Sequence, residues 1–409
     1  MRPLLAGTGR AVYKSPQSHG KPMSNAVSRF IDAARWIAAL MVALHHTHNV
    51  FVDQADIMKA SHWPPVYAWW FATAYTFAHG AVVVFFVLSG FLVGGATVQK
   101  ARAGKPWLRR FLIDRTSRIY IVLLPALALT FALDTLGQRL FAGLGVYEHP
   151  LFQATLKNEY LLPTIFGLQG IWFPTYGTNA ALWSLGMEYW YYVICGLVLL
   201  PLSAAYGARA QWSGAALGGA LFLAFAISPS YFLFGSSLWA LGALTRIAPR
   251  PLMRSRWLAL ALWVVAISII RVVSHGAIIE DHPRKEAIDA VNALLFANIL
   301  LTLRFDTSDG FSWCRAKFHG ALSHFSYSLY AMHWPVLMWL QGAALVAFGA
   351  GWNRQLATPQ HYAVAIAALA IIMLSAWAFS RATEARTDAL RGWFSRVLPA
   401  GGAERMRRK

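Results

Sequence analysis

Cysteine is nearly missing from this chain of 409 residues: there are two, Cys195 inside an apolar run and Cys314 in a short connection. Two isolated thiols make no disulfide framework and no zinc site, so no metal centre is expected. Charge is also scarce. Only 13% of the residues are Asp, Glu, Lys or Arg, against about 25% in an ordinary soluble domain. Acid is scarcer still, 17 residues against 36 basic ones, for a formal net charge of +19. No soluble basic domain carries that excess, which argues against nucleic acid as a partner. The first 28 residues hold Arg2, Arg10, Lys14 and Lys21 but no apolar core. They read as a disordered basic tail and not as a cleaved signal peptide. There is no internal repeat, which weakens a transporter built from inverted halves.

What the chain does have is apolar length: 57% of it is hydrophobic, gathered into runs long enough to cross a bilayer of ~30 Å. About ten candidate spans can be drawn, at 29–50, 68–97, 111–135, 181–203, 211–228, 231–248, 256–275, 288–304, 322–347 and 361–381. The connections between them alternate in charge. Lys100, Arg102, Lys105, Arg109 and Arg110 fall in one, and Arg246, Arg250, Arg254 and Arg256 in another. Asp53, Asp56 and Lys59, or Glu280, Asp281 and Glu286 with Arg284 and Lys285, fall in those between. By the positive-inside rule both termini are cytoplasmic. The expected fold is therefore an all-α integral membrane protein, a membrane domain over 29–381 between basic tails at 1–28 and 382–409. A long outer connection at 136–180, with Trp172 and Tyr176, reads equally as an interfacial loop or as a lid over an acceptor site.

Ionisable residues within spans are costly and mark candidate sites. On the first span Arg35 and His46 are eleven residues apart, which returns to within ~20° of one helix face and separates them by ~16 Å. That face carries an arginine in its inner half and a histidine in its outer half; a snorkelling Arg35 and an interfacial His46 are the plainer reading. His45 and His48 are read as packing or interface residues, and His79 as a satisfied polar contact. Ser89 and Gly90 form a small-residue patch, for helix packing or for a ligand. Arg115 and Arg118, three apart at the inner boundary, suit either phosphate binding or membrane anchoring. Glu188 lies at the depth of His46, where a carboxylate can orient an imidazole and support its cation, or form a structural pair. Tyr327, Tyr330 and His333 line one face of the ninth span, and Pro335 should kink it.

Together these residues resemble the acyltransferase 3 family of integral membrane acyltransferases. The resemblance runs from residue 29 to about 384, with the pieces in the family's order. They are Arg35-x10-His46, Phe85-Phe-Val-Leu-Ser-Gly-Phe91, Arg115-x-x-Arg118-Ile, Leu182-Trp-Ser-Leu-x-x-Glu188 and Ser326-Tyr-Ser-Leu-Tyr-x-x-His333-Trp-Pro335. Val83 departs from the pattern, and so does Ala385-Arg386 after Glu384. The resemblance implies transfer of an acyl group, acetyl ahead of succinyl, from cytoplasmic acyl-CoA to a hydroxyl of an envelope or exported glycan, a lipid-linked sugar or a small molecule. It implies an essential His46 supported by Arg35, and a donor held by Arg115 and Arg118. It places the protein in the bacterial cytoplasmic (inner) membrane, with lipids, acyl-CoA and the acceptor as partners and no permanently bound cofactor.

The expected mechanism follows. Donor phosphates meet Arg115, Arg118 and Arg35, and the pantetheine arm passes Ser89 and Gly90. His46, oriented by Glu188, takes the acceptor's proton; an acyl-His46 intermediate is a second version. Tyr327, Tyr330 and His333, with Trp183 and Ser184, are candidates for the oxyanion or the substrate. The rival class is a proton-coupled transporter or flippase, which would also use intramembrane His and Glu.

Overall fold

The computed structural model describes residues 25–273, 282–306, 316–354 and 356–398. Residues 1–24, the acids Glu280 and Asp281, Cys314 and the basic end after 398 lie outside them. Among the described residues there is no strand, and each of the ten apolar segments is helical. The long helices are α1 (Asn25–Phe51) and α2 (Tyr75–Ser89), which runs through a π-helical turn, Gly90–Gly94, into Gly95–Arg102. Then come α3 (Leu108–Leu140), α4 (Trp183–Val198), α5 (Ala208–Ala226) and α6 (Phe232–Ile247). After them come α7 (Arg256–Val273), α8 (His282–Phe305), α9 (Ser326–Phe348) and α10 (Pro359–Ala382).

Six helices are long and apolar enough to cross a membrane by length and composition: those within Pro64–Arg102, Leu108–Leu140, Arg256–Val273, Arg284–Phe305, Ser326–Phe348 and Pro359–Val397. The protein is a multi-pass membrane protein. Three of the four helices that fall short have a plain physical reason to. At 16 residues each, α4 and α6 extend only ~24 Å. Polar residues interrupt α1, and they face other helices.

α1 sits in the middle, packed on α2, α9 and α10. α2 lies against α6 with almost no side chain between them. A Cβ on Gly90 would come 1.8 Å from the Trp239 carbonyl oxygen, and one on Gly242 would come 2.0 Å from that of Val87. Glycines are what allow this approach. The connections gather at two ends. At one, Tyr206 Oη accepts from the backbone N–H of Trp107 and Leu108 at 2.8 and 2.9 Å, and Arg304 donates to the Ala248 carbonyl at 2.8 Å. This is the basic end. At the far end, Ala357 N–H donates to Asp56 at 2.8 Å.

Three expected boundaries move. The second span, expected at 68–97, is broken at Thr73 and Ala74, between a helix Pro64–Ala72 and the start of α2 at Tyr75. α3 continues five residues past 135, to Leu140, and the segment after it is built rather than loose. It holds short helices at Pro150–Thr155 and Leu161–Ile165 and is tied to α3 by Thr178, whose N–H and hydroxyl both donate to Asp134 at 2.8 Å. Within it Tyr176 is buried and Trp172 exposed. Beyond 382 the plain tail contains a helix, α11 (Thr387–Val397), joined to α3 by Arg391–Asp114 at 2.8 Å. An amphipathic helix needs one apolar face and no apolar run, so a search for runs passes over it.

Candidate active site

Two cavities lie between the central helices. The first, ≈ 290 Å³, is lined by Arg35, Arg115, Arg118, Glu188, Ser89 and Tyr327 among others. The second, ≈ 210 Å³, is lined by His45, His46, His79, Tyr75, Trp183 and Lys285 among others. Val82 and Tyr330 belong to both walls. The arginine cavity lies toward the basic end and the histidine cavity toward the far end.

The arginine cavity brings together most of the residues expected to hold a donor. Arg35 Nη1 donates to Ser323 at 3.5 Å, and Ser323 donates to Asp32 at 3.3 Å. Arg118, Glu384, Asp32 and Glu188 all lie within electrostatic reach of Arg35. Glu384, just past α10, accepts from the Ser328 N–H at 2.9 Å and its hydroxyl at 2.7 Å, so a carboxylate caps the first turn of α9. Arg115 stands 6.0 Å from the centre of the Tyr192 ring, and its Nε is buried without a hydrogen-bond partner, as is the Tyr327 hydroxyl. Unpaired buried donors are costly. Donors of this kind lining a cavity with three arginines suit an anionic, acceptor-rich guest.

Ser89 takes part in a closed chain. Its hydroxyl is 2.9 Å from Tyr192 Oη and accepts from Trp239 Nε1 at 3.1 Å, while Tyr192 donates to Glu188. Gly90, expected beside the donor, instead forms the α2–α6 contact and does not line the cavity. A glycine reads the same in sequence whether a ligand or a helix backbone approaches it.

The structure does not bring Glu188 to His46. Glu188 is hydrogen-bonded to Tyr192 in the arginine cavity. His46 is in the other cavity, stacked on His333 (ring centres 5.3 Å apart) and edge-on to Trp334 (4.2 Å) and His45 (5.1 Å). Equal depth on two helices placed them together in sequence; the rotation of α4 about its axis separates them. His45 is satisfied, with Nδ1 on the Thr73 carbonyl at 2.6 Å and Nε2 accepting from Asn49 at 3.1 Å. His333 Nδ1 lies 2.9 and 3.1 Å from the Tyr330 and Leu329 carbonyls. It therefore carries its proton there, and Nε2 is left as an acceptor. An acceptor cannot stabilise an oxyanion, which removes His333 from the expected oxyanion donors. Tyr330 remains, its hydroxyl 2.7 Å from Ser184 Oγ. Trp183 lines the histidine cavity and Ser184 the arginine cavity. Pro335 deprives the Ala331 carbonyl of its helical partner; Asn179 Nδ2 donates to that carbonyl at 2.9 Å, tying the start of α4 to α9 beside Tyr330.

Sequence reasoning missed a carboxylate–imidazole pair. His79 Nε2 lies 2.8 Å from Asp289 Oδ2, and the Tyr231 hydroxyl donates to the same oxygen at 2.6 Å. Asp289 is the second residue of the span expected at 288–304, beside a connection of mixed charges, and is not among the candidate residues. A signal was present, an acid within the first turns of an apolar segment.

A family model described as an acyltransferase domain matches residues 28–382. No curated protein and no solved structure matches the chain. The match covers most of the sequence, and the chain belongs to the acyltransferase 3 family.

Proposed function

We propose that this member of the acyltransferase 3 family carries an acyl group from cytoplasmic acyl-CoA to a hydroxyl of an envelope or exported glycan, a lipid-linked sugar or a small molecule. Acetyl is the first choice of acyl group and succinyl the second. In this reading all ten long helices cross the bacterial inner membrane, both termini are cytoplasmic, and the basic end faces the cytoplasm.

The observation that carries the reading is the pair of cavities with a shared wall at Val82 and Tyr330. Arg115, Arg118 and Arg35 receive the donor's phosphates by charge-assisted hydrogen bonds. The thioester end reaches the Tyr330 wall, where the Tyr330 and Tyr327 hydroxyls face the developing oxyanion. The acceptor occupies the histidine cavity, whose aromatic walls suit a sugar ring. His46 is the reactive imidazole. An imidazole there can take the hydroxyl's proton or accept the acyl group itself.

The test uses membranes containing the full chain or its His46→Ala variant, radiolabelled acetyl-CoA and envelope glycans of the host. The expected result is label on the glycan with the intact histidine and a loss of about 10³-fold or more without it. Transfer at the unchanged rate by His46→Ala would sink the assignment of His46. Uptake of an intact solute, with no modified product, would move the reading to transport.

A further inference from the structure

We propose that His79, held by Asp289, is the base that takes the acceptor hydroxyl's proton, while His46 carries the acyl group between donor and acceptor. The inference rests on the histidine cavity being the acceptor's site.

A base that becomes a cation inside a membrane protein needs a counter-charge. His46 has none. The rings around it are His45, with both nitrogens occupied, His333, whose proton is committed to backbone carbonyls, and the Trp334 indole. The carboxylate expected beside it, Glu188, is engaged by Tyr192 on the other side of the Tyr330 wall. Surroundings of this kind suit a neutral imidazole that acts as nucleophile and acyl carrier.

His79 has what His46 lacks. Asp289 is 1% exposed, and its Oδ2 accepts from both His79 Nε2 and the Tyr231 hydroxyl. An ionised carboxylate only accepts, so Nε2 bears the proton and Nδ1 keeps a lone pair. No described residue makes a hydrogen bond to that Nδ1. The ring is held in place as well. Tyr75 stacks on it at 5.3 Å and 12°, and Tyr231 meets it edge-on at 5.8 Å. One turn beyond Asp289, Asn292 donates to the Gly80 carbonyl at 3.0 Å and accepts from Trp263 at 2.7 Å. α8 therefore grips α2 at two successive residues, His79 and Gly80. His79 and His46 line the same cavity, with Tyr75, Trp183 and Trp334 as flat walls and Lys285 at its edge.

The chemistry balances. A His46 ring nitrogen attacks the thioester carbonyl; the C–S bond breaks, and the departing thiolate takes the proton of the other ring nitrogen. The products are the CoA thiol and a neutral acylimidazole. The acceptor oxygen then attacks the acyl carbon while its proton passes to His79 Nδ1, with Asp289 stabilising the imidazolium. The C–N bond breaks, and His79 returns the proton to His46. The sum is thioester plus alcohol to ester plus thiol.

Two assays on membranes containing the full chain test this. One follows exchange of radiolabelled CoA into acetyl-CoA with no acceptor present; the other follows acetyl transfer to host envelope glycans. The wild-type protein is expected to do both, and His46→Ala neither. His79→Gln and Asp289→Asn are expected to keep exchange and to lose transfer, by about 10²–10⁴-fold for His79→Gln. Added imidazole should restore transfer in His79→Ala, which a purely structural role would not allow. Wild-type transfer without exchange overturns the inference and leaves the acyltransferase reading standing. So does undiminished transfer by His79→Gln, or joint loss of exchange and transfer in both His79→Gln and Asp289→Asn. If the wild-type protein neither exchanges nor transfers with acetyl-CoA or with succinyl-CoA, the acyltransferase reading falls and takes the inference with it.

Discussion

The two cavities differ in what they leave unsatisfied. In the arginine cavity the unpaired groups are donors, Arg115 Nε and the Tyr327 hydroxyl, with Arg35 and Arg118 beside them. Its other hydroxyls are occupied, Ser89 by Tyr192 and Trp239, Tyr330 by Ser184. The histidine cavity has no arginine in its lining. It holds imidazoles, aromatic faces and Lys285, and the carboxylate bonded to His79, Asp289, is buried. A site with spare donors recognises an anion, whereas one with a paired imidazole moves a proton. Only Val82 and Tyr330 belong to both. In the proposed reading, recognition and chemistry are therefore adjacent but distinct in the same helix bundle.

That distinction can be broken by experiment. The largest effect is expected from the double variant Arg115→Ala with Arg118→Ala. Loss of two charge-assisted contacts of ~1.5–3 kcal/mol each should raise the KM for acyl-CoA by about 10²-fold or more. The KM for the acceptor should stay near its wild-type value. A rise confined to the acceptor's KM would reverse the roles of the two cavities. Next comes Gly90→Ala, whose Cβ would meet the Trp239 carbonyl. It should destabilise the α2–α6 contact by ~1–3 kcal/mol. The readout is a lower melting temperature in detergent with the KM for acyl-CoA unchanged in the protein that remains folded. An altered KM at unchanged melting temperature would return Gly90 to the donor site.

Tyr330→Phe, at the shared wall, removes one hydrogen bond, to Ser184, at a cost to stability of ~1 kcal/mol. Its effect on kcat should exceed its effect on either KM, because the hydroxyl is assigned to the transition state. Equal losses in the two KM values would make Tyr330 a partition only.

The smallest effect belongs to the far-end connection. The N–H groups of Gly143 and Gly145 donate to Glu148 at 2.8 and 3.0 Å. These bonds, that of Gly143 foremost, hold its carboxyl below the usual value. A lowered folded value means stability present above the unfolded pKa of ~4.3 and lost as pH falls through the folded one. Limited proteolysis of 141–150 should therefore quicken at acid pH in the wild-type protein. In Glu148→Gln it should be fast already at neutral pH, and an identical pH response in both would refute the role.

The parts of this molecule legible in sequence share a property: they are local along one helix. Arg35 and His46 are set by the 3.6-residue repeat, Arg115 and Arg118 by the next turn, and the apolar runs by bilayer thickness. Tyr327 and Tyr330 fall on the arginine cavity for the same reason. The failures within the candidate site concern which way one helix faces another. Glu188 has the right depth and the wrong neighbour, and Gly90 has the right size and meets a helix in place of a ligand. His79 makes the satisfied polar contact expected of it, and its partner Asp289 is a carboxylate of the kind sought for His46. Asp134 with Thr178, and Asn179 with the carbonyl freed by Pro335, order a connection whose composition suggested only a loop.

The sequence by itself determined the helical membrane class, the family and the helix positions of the ionisable residues, because hydrophobic length and helical periodicity are one-dimensional quantities. Tertiary structure alone decided that these residues divide between two cavities and that the carboxylate of the histidine cavity comes from α8. Pairing across 210 residues, from His79 to Asp289, depends on how helices rotate and pack, and no spacing along the chain encodes that angle.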